Sequence, residues 1–254
     1  MAGIVEIYRY PVKGLSAERL SRVSLREGEV IPFDRAYAVE NGPSGFDPRS
    51  PKHIPKAAFL MLMRHERLAE LETQFDERTQ SLVVCRNGAV LAQGRLDTEV
   101  GKRAIEAFFD EFSADDLRGP AKVISGPRHS FQDTSTGKVV SLINLESVRA
   151  IANLVDADIH PLRFRANLYV EGLSAWEEFS WVGKRVLAGG VAFEATKRID
   201  RCAAINVNPL TGARDLNIPK SMMMAIGHID CGVYLKVVKG GELRVEDTIA
   251  LERG

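Results

Sequence analysis

Hydrophobic and polar positions repeat with different periods in successive stretches of the chain, and the changes of period divide it into elements. β-Branched and aromatic residues from Ile4 to Val12, with Pro11 near the end, predict a strand that leads into a loop. A second strand is expected over Arg35 to Glu40. Residues 41–55 hold four prolines and two glycines and should be irregular. Leu68, Leu71 and Phe75, with Leu60 and Met61 before them, fall at helical spacing and predict a helix. Two apolar runs then flank Asn87-Gly88, a strong short-range hairpin signal. Val100, Ala104, Ile105, Phe108, Phe109 and Phe112 form the apolar stripe of an amphipathic helix.

The acidic, glycine- and proline-containing stretch from Asp115 to Pro120 that follows is the expected domain boundary, near residue 120. Beyond it, Lys122 to Ser125 and Val139 to Ile143 read as strands. Asn144 should cap a helix whose buried face is Val148, Ile151, Ala152 and Val155. Further strands are expected at Asn167 to Val170, Arg185 to Leu187, Val191 to Thr196, Ala203 to Val207, Gly232 to Val238 and Thr248 to Leu251. Many short strands, glycine-rich turns and few helices favour an α+β fold with a closed or strongly curved sheet over a doubly wound one. There is no internal repeat.

Composition narrows the class. The chain has 254 residues, 45% hydrophobic and 27% charged, with 34 basic side chains balancing 34 acidic ones. Such a neutral total argues against a dedicated nucleic-acid binder. No apolar run reaches the ~20 residues that span a bilayer, and residues 1–10 lack the long apolar core of a signal peptide. A cytoplasmic protein is expected. Cys85, Cys202 and Cys231 are an odd number without a C-x-x-C pair, which fits a reducing compartment rather than a disulfide framework.

Signatures of common sites are missing from the sequence: no G-x-G-x-x-G after a strand, no Walker loop, no G-x-S-x-G elbow and no H-E-x-x-H. The five histidines show no metal-ligand spacing. A hydrolase or a nucleotide-binding enzyme is therefore not supported. Cys202 differs from its two counterparts in its neighbours. Arg198 and Arg201 precede it closely, and a nearby cation favours the thiolate, the form that attacks electrophiles or binds soft metals. The residues after it, Ala203 to Val207, read as a buried strand ending in the Asn208 to Gly212 turn, so Cys202 is expected at a strand's start. The competing reading is that Cys202 is one more small buried hydrophobe.

The stretch RCAAINVNPLTG from Arg201 resembles the cysteine motif of the MOSC domain, the C-terminal domain of molybdenum cofactor sulfurases. The likeness extends along the chain. YPVKG (Tyr10 to Gly14) and FDRAYAV (Phe33 to Val39) resemble the opening of the family's N-terminal β-barrel domain. FRANLYVEG (Phe164 to Gly172), WEE (Trp176 to Glu178) and the run from Cys231 resemble the middle and closing strands of the MOSC domain. The arrangement is similar to that of the amidoxime-reducing components and their bacterial relatives. It implies an N-terminal β-barrel-like domain over residues 1–120, packed against a MOSC β-barrel domain with flanking helices over 121–254.

The resemblance also implies chemistry. Molybdenum would be held by a pterin dithiolene and by one protein thiolate, Cys202, and N-hydroxylated compounds or N-oxides would be reduced. Lys13 and Arg35 match basic positions that hold the cofactor; Arg165, Asn167 and Arg201 match polar positions around it. Arg49 and Ser147 are looser matches. Arg165 and Asn167 would alternate along a strand and face one side. With no cluster or flavin signature in the sequence, electrons would come from a separate ferredoxin-, flavoprotein- or cytochrome-type partner. A sulfur carrier using a Cys202 persulfide and a non-catalytic cofactor-binding module are the alternatives. The chain departs from the family pattern at Asn208, where an acid is frequent, and meets the polar positions before the middle helix only in part, with Thr136 and Ser141.

Overall fold

The computed structural model describes residues 2–134 and 137–252; Thr136 lies outside the described residues. In chain order the first half contains β1 (Ala2–Arg9), β2 (Glu18–Leu20), β3 (Arg22–Leu25), β4 (Tyr37–Glu40), β5 (Glu72–Asp76), β6 (Ser81–Arg86), β7 (Ala89–Arg95) and α1 (Glu99–Phe112). The second half contains β8 (Lys122–Ser125), β9 (Val140–Asn144), α2 (Leu145–Val155), β10 (Leu168–Glu171), β11 (Arg185–Ala188), β12 (Val191–Asp200), α3 (Ile218–Ile226), β13 (Asp230–Lys239), β14 (Gly241–Arg244) and β15 (Thr248–Leu251). The fold is α+β and dominated by one barrel.

Seven strands close that barrel in the order β1, β10, β9, β13, β12, β11, β15 and back to β1. All the pairs are antiparallel except β9 with β10. Alternation along the strands fills the interior: on β13, Val233, Leu235 and Val237 are buried while Lys236 is exposed, and they pack with Ile4, Ile7, Leu142, Phe193 and Ile249. β9 is buried on both faces, because α2 and α3 cover its outer side through Val148, Ile151 and Met222.

β1 belongs to this barrel although it stands at the start of the chain. The first strand of the N-terminal half is thus a stave of a barrel otherwise built from residues 140–251. Of the rest of that half, β2 adds to the outer edge of β1 and β3 pairs with β14, while β4 with β8 and β5-β6-β7 form small sheets around a second core that includes Val39, Leu68, Phe75, Val84 and Phe109.

Most expected elements form close to their predicted bounds. The hairpin turns at Asn87 and Gly88, whose φ angles of 51° and 77° are those of the predicted tight turn. Thr98 caps α1 by accepting from the Gly101 amide, and Asn144 caps α2 by accepting from Glu146. Two expectations are corrected. The helix predicted through Leu68, Leu71 and Phe75 is a 3-10 turn, Glu66–Glu70, followed by β5. Leu71, Thr73 and Phe75 also alternate with period two, and pairing of Phe75 with Leu82 in β6 decides between the periods. The strand expected over Ala203 to Val207 is a 3-10 turn, Ala203–Asn206, whose amides bond back along the chain instead of to a neighbouring strand. Helix α3 had no counterpart in the prediction. Among the described residues no helix is long and apolar enough to cross a membrane.

Gly232 marks the tightest contact of the barrel wall near the site. Its φ is +82°, and a Cβ there would sit 2.2 Å from the Leu142 carbonyl oxygen of β9. Gly232→Ala is expected to cost roughly 2–4 kcal/mol from combined backbone strain and overpacking, measured by urea unfolding followed by circular dichroism.

Candidate functional site

The loop that leaves β1 at Tyr10 is stitched to the N-terminal sheets by backbone bonds. Arg35 N donates to the Tyr10 carbonyl (2.7 Å), Lys13 N to that of Tyr37 (2.8 Å) and Phe131 N to that of Arg35 (2.8 Å). Gly14 completes the turn with φ +84°, and its Cα lies against the Leu60 backbone where a Cβ would come within 3.0 Å. These bonds bring Lys13, Arg35 and the segment around Asp133 to one side of a cleft. The opposite side comes from the barrel: the turn ending at Arg165, and the end of β12 with Arg201 and Cys202.

Between them lies a cavity of about 290 Å³, lined by Lys13, Arg35, Lys56, Arg165, Arg201 and Cys202 among others. Of the three cysteines, Cys85 and Cys231 are buried and Cys202 is half-buried, on the cavity wall. It stands just beyond β12, as the residue capping the 3-10 turn, and not at the start of a strand. Seven basic side chains line this cavity against two acidic ones, so its field is positive.

The cations differ in how fully they are satisfied. Lys13 bonds the Phe131 carbonyl (2.8 Å) and the Asp133 carboxylate. Arg35 donates through Nη1 to both oxygens of Asp34 at 2.7 Å and through Nη2 to the Arg165 carbonyl (2.8 Å). Arg201 spends its guanidinium on the Cys231 and Phe164 carbonyls, which anchors the residue before Cys202 to β13. Arg165 has no acceptor for its guanidinium among the described residues; it stacks on Tyr10, 4.3 Å from the ring centre, and Arg35 lies at the same distance from that ring. Burial, reinforced by Arg35 nearby, pushes Arg165 down to about 10. It therefore stays charged near neutral pH, and an entering anion would relieve it.

Lys56 and Asp133 were not singled out in the sequence. Burial works to lower the Lys56 ammonium, yet Cys202 and Asp133 nearby outweigh that and hold it above its ordinary value. Lys56 lies in a proline-rich loop without periodicity, so no pattern in the sequence could have tied it to Cys202. Arg163 was also passed over. It is buried, bonds Asp215 (2.7 Å) and the Asn206 carbonyl (3.0 Å), and keeps a buried Nε with no partner.

Three expected site residues lie away from the cavity. Asn167 is buried in the barrel seam, where it accepts from Ser141 and donates to the Tyr8 carbonyl (3.1 Å). Arg165 caps a 3-10 turn with φ +51° instead of alternating with Asn167 on a strand, which is why the two side chains part. Ser147, on α2, donates to Glu178 (2.9 Å) and accepts from Trp176 N (2.8 Å). Arg49 is exposed beside Asp47 (3.5 Å).

The barrel and its N-terminal small sheets agree in fold with the comparisons. Residues 126–250 match the family model of the MOSC domain and residues 1–121 that of the MOSC N-terminal beta barrel domain, and the chain belongs to the MOSC family. It is 22% identical to the molybdenum cofactor sulfurase of Bos taurus over 267 residues, 91% of this chain and 30% of that protein. To the Drosophila melanogaster molybdenum cofactor sulfurase it is 34% identical over 117 residues, 44% of this chain and 15% of that protein. The chain thus spans less than a third of the length of these relatives. Among solved structures, the YUAD protein from Bacillus subtilis aligns with a TM-score of 0.45 at 14% identity, over 98% of this chain and 94% of that one.

Asp133 faces Lys13, Lys56 and Arg35; burial works to raise its carboxyl, but these three cations hold it below the usual carboxylate range. A carboxylate depressed in the folded state stabilises above its unfolded pKa and loses that contribution as pH falls through the folded value. Asp133→Asn should therefore lower the melting temperature at pH 7, with the gap to the native protein closing as pH falls below about 4, as read by thermal melts across pH.

Proposed function

We propose that this cleft binds a molybdenum–pterin cofactor through Cys202 and that the chain reduces N-hydroxylated compounds or N-oxides. The observation that carries the reading is that the half-buried Cys202 thiol and Arg165, whose guanidinium has no acceptor among the described residues, line the same cavity. The donor set suits such a group. Cys202 offers one soft sulfur, fit for a metal whose other ligands are also sulfur, and among the described residues no three His, Cys, Asp or Glu side chains cluster to bind a metal by themselves. Lys13, Arg35 and Arg165 offer charge-assisted donors to a phosphate.

When bound, the group supplies the two-electron chemistry that turns an N–O–H into N–H and water, with two protons consumed. The chain's own residues do the rest. Arg165 and Lys13 hold the anionic end, and Arg201 fixes the backbone that presents Cys202. Lys56 keeps positive charge beside the Cys202 sulfur. Electrons would be delivered by a separate ferredoxin-, flavoprotein- or cytochrome-type protein. The sulfurase names of the relatives favour a second reading, in which Cys202 carries sulfur as a persulfide to an acceptor. A module that binds the cofactor without turnover is the third.

Molybdenum and pterin content per chain, measured on protein from a cofactor-sufficient host, tests the proposal. Near-stoichiometric metal in the native chain and its loss in Cys202→Ser are expected; equal metal in both would overturn the ligand assignment. Protein with labile sulfur on Cys202 but no metal or pterin would establish the carrier. Arg165→Ala should lower cofactor occupancy by removing a charged hydrogen bond worth ~1.5–3 kcal/mol, roughly ten- to a hundredfold in affinity.

A further inference from the structure

The turn that follows Cys202 is gripped from two sides by guanidinium groups. On the barrel side, Arg163 donates to the Asn206 carbonyl (3.0 Å) and to Asp215 (2.7 Å), and Asn208 Nδ2 meets the same carboxylate (2.8 Å). On the other side stands Arg214, at the foot of a small hairpin that the Asn208 amide closes by donating to the Ala213 carbonyl (2.8 Å). Its Nη1 donates to the carbonyl of Ala203, the residue next to Cys202 (3.2 Å). Its Nη2 donates to the carbonyls of Met63 (2.7 Å) and Leu62 (2.9 Å), and its Nε to the Glu66 carboxylate (3.2 Å). Leu62 and Met63 lie in the N-terminal half and, like Ala204, line the cavity of Cys202. One side chain thus joins the backbones of two walls of the cavity. Close by, the hairpin touches the N-terminal half again: Gly212 has φ +72°, and a Cβ there would stand 2.9 Å from Glu70 Cγ.

A guanidinium presents its N–H donors in a fixed planar fork, so the acceptor met by one edge constrains where the others must lie. An exposed arginine–carboxylate pair alone holds little, because water competes for both partners. Here the charged donor also takes three backbone carbonyls, and those bonds tie main chain to main chain. Arg201 anchors the residue before Cys202 to the Cys231 and Phe164 carbonyls. The residue after it is anchored by Arg214. We propose that Arg214 is a positioning residue for the Cys202 thiol: by clamping the Ala203 carbonyl to the Leu62–Met63 backbone, it sets the width of the cavity and the place of the sulfur in it. The clamp acts alike whether that sulfur binds a metal or carries a persulfide, because it holds backbone and touches no ligand.

The test reads the opening of the cavity at Cys202 itself. Full-length chain from a cofactor-deficient host, with its sulfur free, is alkylated at fixed pH with iodoacetamide or with a maleimide bearing a polyethylene glycol chain. Labelling at each cysteine is followed by peptide mass spectrometry. Both reagents need the thiolate, so the ratio of the bulky to the small reagent's rate cancels its population and reports width. In Arg214→Ala the ratio at Cys202 is expected to rise at least several-fold, while the buried Cys85 and Cys231 stay unlabelled as in the native chain. Arg214→Lys keeps the charge but cannot reach both walls, and should fall between the two. Glu66→Gln loses the ion pair, keeps the carbonyl bonds and should stay near native. Circular dichroism establishes that each variant is folded; if Arg214→Ala is not, Arg214→Lys carries the comparison. An unchanged ratio in folded variants, labelling of Cys85 and Cys231 that rises in step with Cys202, or an equal rise in Glu66→Gln would overturn the proposal. The clamp and the reductase reading fail separately. A raised ratio in a protein that never takes up molybdenum keeps the clamp and removes the reductase; Cys202-dependent molybdenum with an unchanged ratio does the reverse.

Discussion

The site depends on one strand pairing: β1 clamped between β10 and β15. Its register sets Ile4 opposite Val170 and Ile7 opposite Leu168, which closes the barrel and buries both isoleucines inside it. Because Tyr10 follows at once, the same pairing delivers the Tyr10 to Gly14 loop to the barrel's rim, beside the turn at Arg165. A slip of one residue would turn Ile4 and Ile7 outward. It would also displace Lys13 from the cleft. Asn167 reinforces the seam by bonding Tyr8 of β1 and Ser141 of β9 at once, so its place in the fold is to hold the two walls at a fixed separation.

Around that seam the electrostatics are arranged asymmetrically. Arg35, Lys13 and Arg163 are neutralised by Asp34, Asp133 and Asp215, and Arg201 has its hydrogen bonds met by backbone carbonyls. Among the described residues Arg165 is held by stacking on Tyr10, an interaction that orients a guanidinium without neutralising it. The result is a wall of paired cations with, among the described residues, one unpaired charge at Arg165. Such preorganisation spares a bound anion the cost of ordering long side chains. A chain of zero net charge thus lines its cleft with seven basic side chains and two acidic ones.

Legibility followed the range of the forces involved. The Asn87-Gly88 turn, the capped helices α1 and α2 and most strands were readable because their signals are local: a positive φ, a side-chain cap, a run of alternation. The 3-10 turn after Cys202 was misread because Ala203 to Val207 is as apolar as a buried strand, and nothing local says that it lacks a strand to pair with. Lys13, Arg35, Arg165, Arg201 and Cys202 were reachable through motif resemblance, and they do meet in one cavity. Lys56 and Asp133 were not, since what makes them notable is proximity to Cys202 and Lys13 across more than a hundred residues.

By itself, then, the sequence determined the class of fold, most of its elements and the candidate thiol. These follow from short-range periodicity, from turn chemistry and from the residues around Cys202. The tertiary structure alone decided that the first strand completes a barrel made from the other end of the chain. It decided too which cations are already paired. Each of these is a matter of which distant segments pack together, and packing energy is shared among residues that no local pattern connects.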